Sequence, residues 1–126
     1  MNQIVLQGNL GRDPEVRHTP KGTKVVELSV ADNRIYTGAD GNQVKETNWF
    51  RVSVFGKQAE ACAQYLKKGR LITATGRMKC DVVTNQDGSK SYYWKLIAQQ
   101  VVFGPRPAEE QPELIDEPVA EEEILF

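Results

Sequence analysis

Two segments near the start of the chain alternate apolar and polar residues with a period of two. The apolar positions of residues 4–10 and 24–31 are Ile4, Leu6, Gly8, Leu10, Val26, Leu28 and Val30. Successive side chains of a strand point to opposite faces, so this period predicts two strands with one face in a core. Asp13-Pro14, Pro20 and Gly22 interrupt the pattern between them and predict a connecting loop. That loop is basic, with Arg12, Arg17, Lys21 and Lys24.

The middle and the end of the chain predict three more strands. The third strand is predicted from Thr47 to Phe55, after a hairpin turn at Asp40-Gly41. A second hairpin turn at Asp87-Gly88 joins a fourth strand that ends near Val83 to a fifth that begins near Tyr92.

The period changes from two between Lys57 and Lys68, which predicts a short helix. Its apolar stripe is Ala59, Cys62, Ala63 and Leu66. Lys67 and Lys68 fall in the expected last turn, and Gly69 is the expected stop. The predicted fold is therefore all-β, a five-stranded OB-fold barrel with one short helix between strands three and four.

Charge divides the chain into a basic part and an acidic part. Residues 1–104 carry fifteen Lys plus Arg against nine Asp plus Glu, or +6, whereas residues 105–126 carry one Arg against eight acids, or −7. The acidic part has four of the six prolines, so we expect a disordered tail (105–126) after one folded domain (1–104). Apolar residues at the end of an acidic run favour a protein-docking tip over a segment that only aids solubility. The tip consists of Glu121, Glu122, Glu123, Ile124, Leu125 and Phe126.

Signals of membrane insertion, catalysis and cofactor binding are weak. No apolar run approaches the roughly 18 residues that span a bilayer, and no signal region precedes the first strand, so we expect a cytoplasmic chain. His18 lies in the basic loop without a partner motif, so we expect no enzyme, no cofactor and no metal site. Cys62 and Cys80 form no C-x-x-C pair and are interpreted as reduced core thiols.

The third predicted strand carries the most informative face of the chain. Phe50, Val52 and Val54 alternate with a second set, which is Trp49, Arg51, Ser53 and Phe55. Flat rings beside a guanidinium suit a single nucleic-acid strand, because rings stack on bases and the charge contacts phosphate. The alternative is that Trp49 and Phe55 cover a second small core.

The polar face of the fourth strand is expected to lie beside this set. It carries Thr73, Thr75, Arg77 and Lys79. The two faces together hold three basic residues and no acid, which favours a polyanion groove over an ordinary solvated surface. In the fifth strand, Tyr92-Tyr93-Trp94 places aromatics on both faces, so at least one of Tyr93 and Trp94 is expected to be structural.

Three stretches resemble the bacterial single-stranded DNA-binding protein family. They are GNLGRDPEVR (residues 8–17), TNWFRVSVFGK (47–57) and YLKKG (65–69), in the family's order and spacing. The resemblance implies an OB-fold that assembles as a homotetramer and wraps single-stranded DNA during replication, recombination and repair. It also implies a nucleoid-associated protein whose C-terminal tip recruits replication and repair enzymes.

The resemblance places the family's stacking aromatics on Trp49 and Phe55. Ile35 and Val83 stand where many members have tryptophan, and Tyr36 and Trp94 are the candidates to replace them. The tip reads Ile-Leu-Phe where the family usually has Ile-Pro-Phe, after a shortened linker, so docking is expected with a shorter reach.

The expected function is sequence-independent binding and protection of single-stranded DNA. The alternatives are an RNA-binding OB module of the cold-shock type and a protein–protein adaptor, while a nuclease lacks a ligand cluster for metal. The predicted DNA-binding residues are Arg12, Arg17, Arg34, Tyr36, Trp49, Arg51, Phe55, Thr73, Thr75, Arg77, Lys79 and Trp94.

Overall fold

The computed structural model describes residues 1–105, in which six strands and one helix are found. The strands are β1 (Ile4–Leu10), β2 (Glu15–His18), β3 (Lys24–Thr37), β4 (Gln43–Phe55), β5 (Leu71–Thr84) and β6 (Lys90–Phe103), and the helix is α1 (Lys57–Tyr65). The predicted acidic tail lies outside the described residues from residue 106 onward, and so does its docking tip.

Five long strands close into a barrel. Their order is β1-β5-β6-β4-β3, and β3 pairs again with β1 where Leu10 lies opposite Val30. β4 and β6 run parallel where Ser53 lies opposite Ile97. This arrangement confirms the predicted five-stranded barrel, with the helix after its third strand, β4.

The alternating apolar residues of these strands form the barrel core. The buried set includes Leu6, Leu10, Val26, Leu28, Val30, Val52, Val54, Ile72, Ala74 and Leu96. Burying one Val or Leu side chain contributes about 1.5–3 kcal/mol to stability. A slip of one residue in any strand would turn its apolar side chains to solvent, and that contribution would be lost. The core therefore fixes which side chains of β4 face outward.

The segment between the first two predicted strands is not only a loop. Glu15–His18 forms β2, which pairs antiparallel with β3 from His18↔Lys24 to Glu15↔Glu27. All four residues are exposed, so the sequence has no apolar alternation that marks this strand. The prediction that Arg17 lies in a connecting loop is wrong, since Arg17 belongs to β2, whereas Lys24 begins β3, where the predicted strand 24–31 starts.

Both predicted hairpins are longer than their apolar patterns. β3 and β4 stay paired from Val25↔Phe55 to Thr37↔Gln43, and β5 and β6 stay paired up to Thr84↔Lys90. The outer parts of these hairpins are mainly polar or exposed, because they extend beyond the barrel, and hydrogen bonds between the two strands hold each pair together. They form two hairpin arms, residues 32–48 and 79–95.

The helix ends three residues before the predicted Lys68. Leu66 is extended and buried, and its N–H donates to the Cys62 carbonyl at 3.1 Å. The next residues leave the helix for tertiary partners: Lys68 N–H donates to Asp13 Oδ1 at 2.8 Å, and Gly69 N–H donates to the Leu10 carbonyl at 2.8 Å. Within residues 1–105 no helix has the length and apolarity needed to cross a membrane.

The two cysteines are free but occupy different environments. Cys62 is fully buried in the core, as predicted, and burial raises the pKa of its thiol to about 11. Cys80 is only half-buried and lies opposite Trp94 on the outer hairpin arm. The prediction of a core thiol is therefore wrong for Cys80, because β5 extends past the barrel at this position.

Candidate nucleic-acid interface

The outer face of the sheet presents one row of side chains across five strands. Directly paired residues point to the same face, and pairing aligns Glu15, Glu27, Ser53, Ile97 and Arg77 across β2, β3, β4, β6 and β5. β6 therefore separates β4 from β5, and the expectation that these two strands lie side by side is wrong. Arg77 still lies on the same outer face as Ser53 of β4, and two strand spacings, or about 10 Å, separate these two residues.

A groove of about 350 Å³ lies beyond the point where β4 and β6 are paired. We call it the aromatic groove, and its lining is Arg12, Leu28, Ser29, Trp49, Phe50, Arg51, Tyr92, Tyr93 and Trp94. Five of these described lining residues are aromatic, two are arginines and none is acidic. The groove therefore combines ring faces with positive charge, which is the combination that the sequence pattern of β4 predicts.

Trp49 forms one wall of the aromatic groove. It lies opposite Ala31 on the outer face and is 60% exposed. Its six-membered ring contacts Gly11, which has no side chain to keep the indole away. Trp49 is thus supported on one side and open on the other, so the alternative that it covers a second small core does not apply.

Three successive aromatics of β6 form the opposite wall. Tyr93 pairs with Asp81 and Trp94 with Cys80, so their side chains leave opposite faces of β6. Tyr92, Tyr93 and Trp94 are 62%, 50% and 61% exposed, and all three line the groove. Neither Tyr93 nor Trp94 belongs to the core, so the expectation that one of them is structural is wrong.

Phe55 lies on the same outer face as Trp49 but outside the aromatic groove. It pairs with Val25, which pairs with Arg17, and it is 41% exposed. It lies six positions after Trp49 in β4, which is about 20 Å of extended strand. Between them Ser53 is fully buried and its hydroxyl donates to the Glu27 carboxylate at 2.9 Å, so it offers no free group to a ligand.

A second groove of about 260 Å³ adjoins the first and contains both signs of charge. We call it the mixed groove, and its lining is Arg12, Glu15, Arg17, Glu27, Arg51, Asp81, Val83, Tyr93, Trp94 and Lys95. Arg17 pairs with Glu15 at 3.3 Å, and Asp81 accepts from Lys95 at 3.1 Å and from Lys79 at 3.5 Å. The hydrogen bond from Lys95, followed by the charges of Lys95 and Lys79, holds the pKa of Asp81 below its usual value. The predicted faces of β4 and β5 hold no acid in the segments 49–55 and 73–79, but Glu15, Glu27 and Asp81 lie beside them in the mixed groove.

Sequence reasoning missed Lys95 and Asp81 as parts of this surface. Asp81 continues the alternation of Arg77 and Lys79 inside the fourth predicted strand, so following the polar face two residues further shows it. Lys95 has no such signal, because its position depends on β6 lying between β4 and β5.

The other predicted DNA-binding residues lie away from both grooves. Thr73 and Thr75 face outward where β5 pairs with β1, and Gln7 Nε2 donates to Thr73 Oγ1 at 3.1 Å. Arg34 and Tyr36 lie on the outer part of β3, and alternation puts Tyr36 on the face opposite to Ile35. Tyr36 therefore lies on the other face of β3 from Ile35, whereas Trp94 shares a groove with Val83.

Comparison with known sequences gives one consistent family. The model of the Single-strand binding protein family matches residues 1–104. The single-stranded DNA-binding proteins of Xylella fastidiosa (strain Temecula1 / ATCC 700964) and Neisseria meningitidis serogroup A are 35% and 36% identical to this chain over 101 residues. These matches cover 80% of this chain and 62% and 58% of the relatives, so the chain spans about three fifths of their length.

Solved structures agree with the barrel. A deletion mutant of the single-stranded DNA binding protein from Thermus aquaticus has a TM-score of 0.71 and 30% identity, covering 82% of this chain and 50% of that one. The Plasmodium falciparum SSB in complex with ssDNA has a TM-score of 0.74 at 23% identity, covering 82% and 94%, and this likeness concerns the fold. The non-enzymatic character of the matched family agrees with the expectation that the chain is not an enzyme. The family resemblance is confirmed: this chain belongs to the Single-strand binding protein (SSB) family.

Proposed function

We propose that this chain binds single-stranded DNA without strong sequence preference. The observation that carries the proposal is the aromatic groove, in which exposed tryptophans from β4 and β6 lie beside Arg12 and Arg51. Every base has a ring face, so stacking on indole discriminates little between bases. Contacts between guanidinium groups and phosphates carry no sequence information either.

Single-stranded nucleic acid fits this groove better than duplex. Bases reach Trp49 and Trp94 only when they are unpaired, because a duplex keeps its ring faces stacked inside. Stacking of one base on an aromatic side chain contributes about 1–3 kcal/mol. Two tryptophans are therefore enough to make the affinity for single strands orders of magnitude higher than the affinity for duplex. The name of the relatives, single-stranded DNA-binding protein, supports the same choice.

We further propose that DNA leaves the aromatic groove along the outer face of β4. Phe55 lies four positions after Arg51 on the same face of β4, and strand pairing aligns it with Arg17 of β2. Phe55 is exposed enough to receive a base. The run of about 20 Å between Trp49 and Phe55 is long enough for several nucleotides of an extended strand. Arg77 and Lys79 extend this face on the far side of β6.

Assembly and partner recruitment are proposed from family membership. We propose a homotetramer that protects single-stranded DNA in replication, recombination and repair, in association with the nucleoid. We also propose that residues 121–126 dock on replication and repair enzymes through Phe126 and the acidic residues before it. These residues lie outside the described part of the chain, so support for docking comes from sequence.

The DNA-binding proposal is tested by Trp49→Ala, with Tyr65→Ala as the matched control. Trp49 is 60% exposed in the groove, and Tyr65 is 57% exposed at the end of α1 and lines neither groove. In titrations with fluorescently labelled oligo(dT), Trp49→Ala should weaken binding by about 1–3 kcal/mol, or about 5- to 150-fold, while Tyr65→Ala binds normally. Equal affinity of both folded variants and the wild type would show that the groove does not bind the DNA.

A further inference from the structure

Gly11 lies directly against the indole of Trp49. A methyl group built at Gly11 would fall 2.6 Å from Cη2 of Trp49 and closer still to Cζ3. Carbon atoms in ordinary contact are about 3.5–4.0 Å apart, so this methyl group and the ring cannot both occupy their positions. The absence of a side chain at Gly11 therefore sets how closely Trp49 lies against the barrel.

The backbone around Gly11 is held on two sides. Gly11 N–H donates to the Ser29 carbonyl at 2.9 Å on β3, and Leu10 N–H donates to the Arg70 carbonyl at 2.9 Å. Asp13, two residues further on, accepts from Lys68 N–H at 2.8 Å. Because this segment is anchored to both β3 and the loop after α1, an added methyl group would displace the exposed ring and not the backbone.

The conformation of Gly11 does not by itself require glycine. The glycines with positive φ in the described chain are Gly22, Gly41, Gly56, Gly69 and Gly88, and Gly11 is not among them. An alanine at position 11 therefore meets no backbone penalty, and the contact with Trp49 is the main obstacle to it. This separates the role of Gly11 from that of the turn glycines.

We propose that Gly11 is a positioning residue for DNA binding, which seats the Trp49 ring at the wall of the aromatic groove. The inference rests on the proposed function, because it assumes that Trp49 stacks on a base. Arg12 follows Gly11 and lines the same groove, so one anchored segment holds the tryptophan and supplies a cation beside it.

The experiment is a mutant cycle measured by titration with labelled oligo(dT). Gly11→Ala should weaken binding by at least fivefold in the wild-type background and should have no effect when combined with Trp49→Ala. In a Trp94→Phe background, where Trp49 is the remaining tryptophan, Gly11→Ala should also shift its emission maximum. Normal affinity and unchanged emission of Gly11→Ala would overturn the inference, and so would an equal loss in the Trp49→Ala background.

Rescue by a smaller ring keeps the test decisive if Gly11→Ala folds poorly. Phenylalanine lacks the outer ring atoms Cζ3 and Cη2, so Gly11→Ala combined with Trp49→Phe should fold and bind like Trp49→Phe. Failure of that double variant to fold would overturn the inference, since the steric conflict would then lie elsewhere. If Trp49→Ala itself binds like the wild type, it is the proposed function that fails, so the two failures are distinguishable.

Discussion

Replacing Asp81 with Asn removes a carboxylate that two lysines share at the edge of the proposed DNA site. Asp81 accepts from Lys95 at 3.1 Å and from Lys79 at 3.5 Å, and Lys95 lines the mixed groove together with Arg51. Asparagine has the same shape and still accepts a hydrogen bond, but it no longer neutralises the lysines. We expect Asp81→Asn to bind single-stranded DNA more tightly at low salt, because the freed lysines become available to phosphates.

The size of this effect follows from counterion release. Each phosphate neutralised on a single strand steepens the dependence of log K on log salt by about 0.7. One freed lysine therefore makes the slope steeper by about 0.7, and two by about 1.4. Between 50 and 200 mM salt these slopes correspond to an additional loss of affinity of about 2.6-fold or about 7-fold.

The assay is a series of oligo(dT) titrations across this salt range with wild type, Asp81→Asn and Asp87→Asn. Asp87 is the matched control, since it lies in the turn of the same hairpin arm and its carboxylate accepts from Ser89. Asp87→Asn makes the same change of charge and should leave the slope unchanged. A slope for Asp81→Asn equal to or shallower than that of the wild type would refute the reasoning, because the lysines would then be unable to reach the DNA.

Three further predictions concern separate parts of the chain. Arg51→Ala should flatten the salt slope more than Arg77→Ala, since Arg51 lines both grooves and Arg77 lies beyond β6; equal slopes from the same titrations would contradict this. Burial raises the pKa of the Cys62 thiol from 9.0 to about 11, so its contribution to stability is fully present below pH 9 and is lost as the pH rises through 11. Urea unfolding between pH 8 and 11 should therefore show a loss of about 2 kcal/mol in the free energy of unfolding, which Cys62→Ala lacks. Phe126→Ala should abolish capture of replication and repair enzymes in pull-downs without weakening oligo(dT) binding, whereas unchanged capture would mean that the tail only aids solubility.

The parts of the fold that sequence predicts well are those in which one face of a strand is buried. Val52 and Val54 alternate with Arg51 and Phe55, so burying the two valines places Arg51 and Phe55 on the outer face. The outer face of β4 was therefore predictable residue by residue. Trp49 was predictable for the same reason, although its support by Gly11 was not, because that contact joins distant segments.

The parts that sequence predicts poorly depend on neighbours in space. β2 has no buried residue, so its pairing with β3 leaves no apolar signal. Leu66 continues the helical period, yet it leaves the helix because the chain beyond it bonds to Asp13 and Leu10. The position of β6 between β4 and β5 likewise brings Lys95 into the mixed groove with Arg51, beside Asp81 of β5. In each case a tertiary contact determines the outcome, and local periodicity carries no record of it.

The most direct measurement of the central claim is a titration that follows intrinsic tryptophan emission with matched single-stranded and duplex DNA. The two tryptophans of the chain, Trp49 and Trp94, both line the aromatic groove. Single-stranded oligo(dT) should therefore quench their emission to saturation, and mixed-sequence single strands should bind with similar affinity. Duplex of the same length should bind far more weakly with little quenching, while tighter binding of single-stranded RNA would favour the cold-shock type of module. Equal affinity for duplex and single strands with unchanged emission would contradict the account, because it would show a generic basic surface and no stacking in the groove.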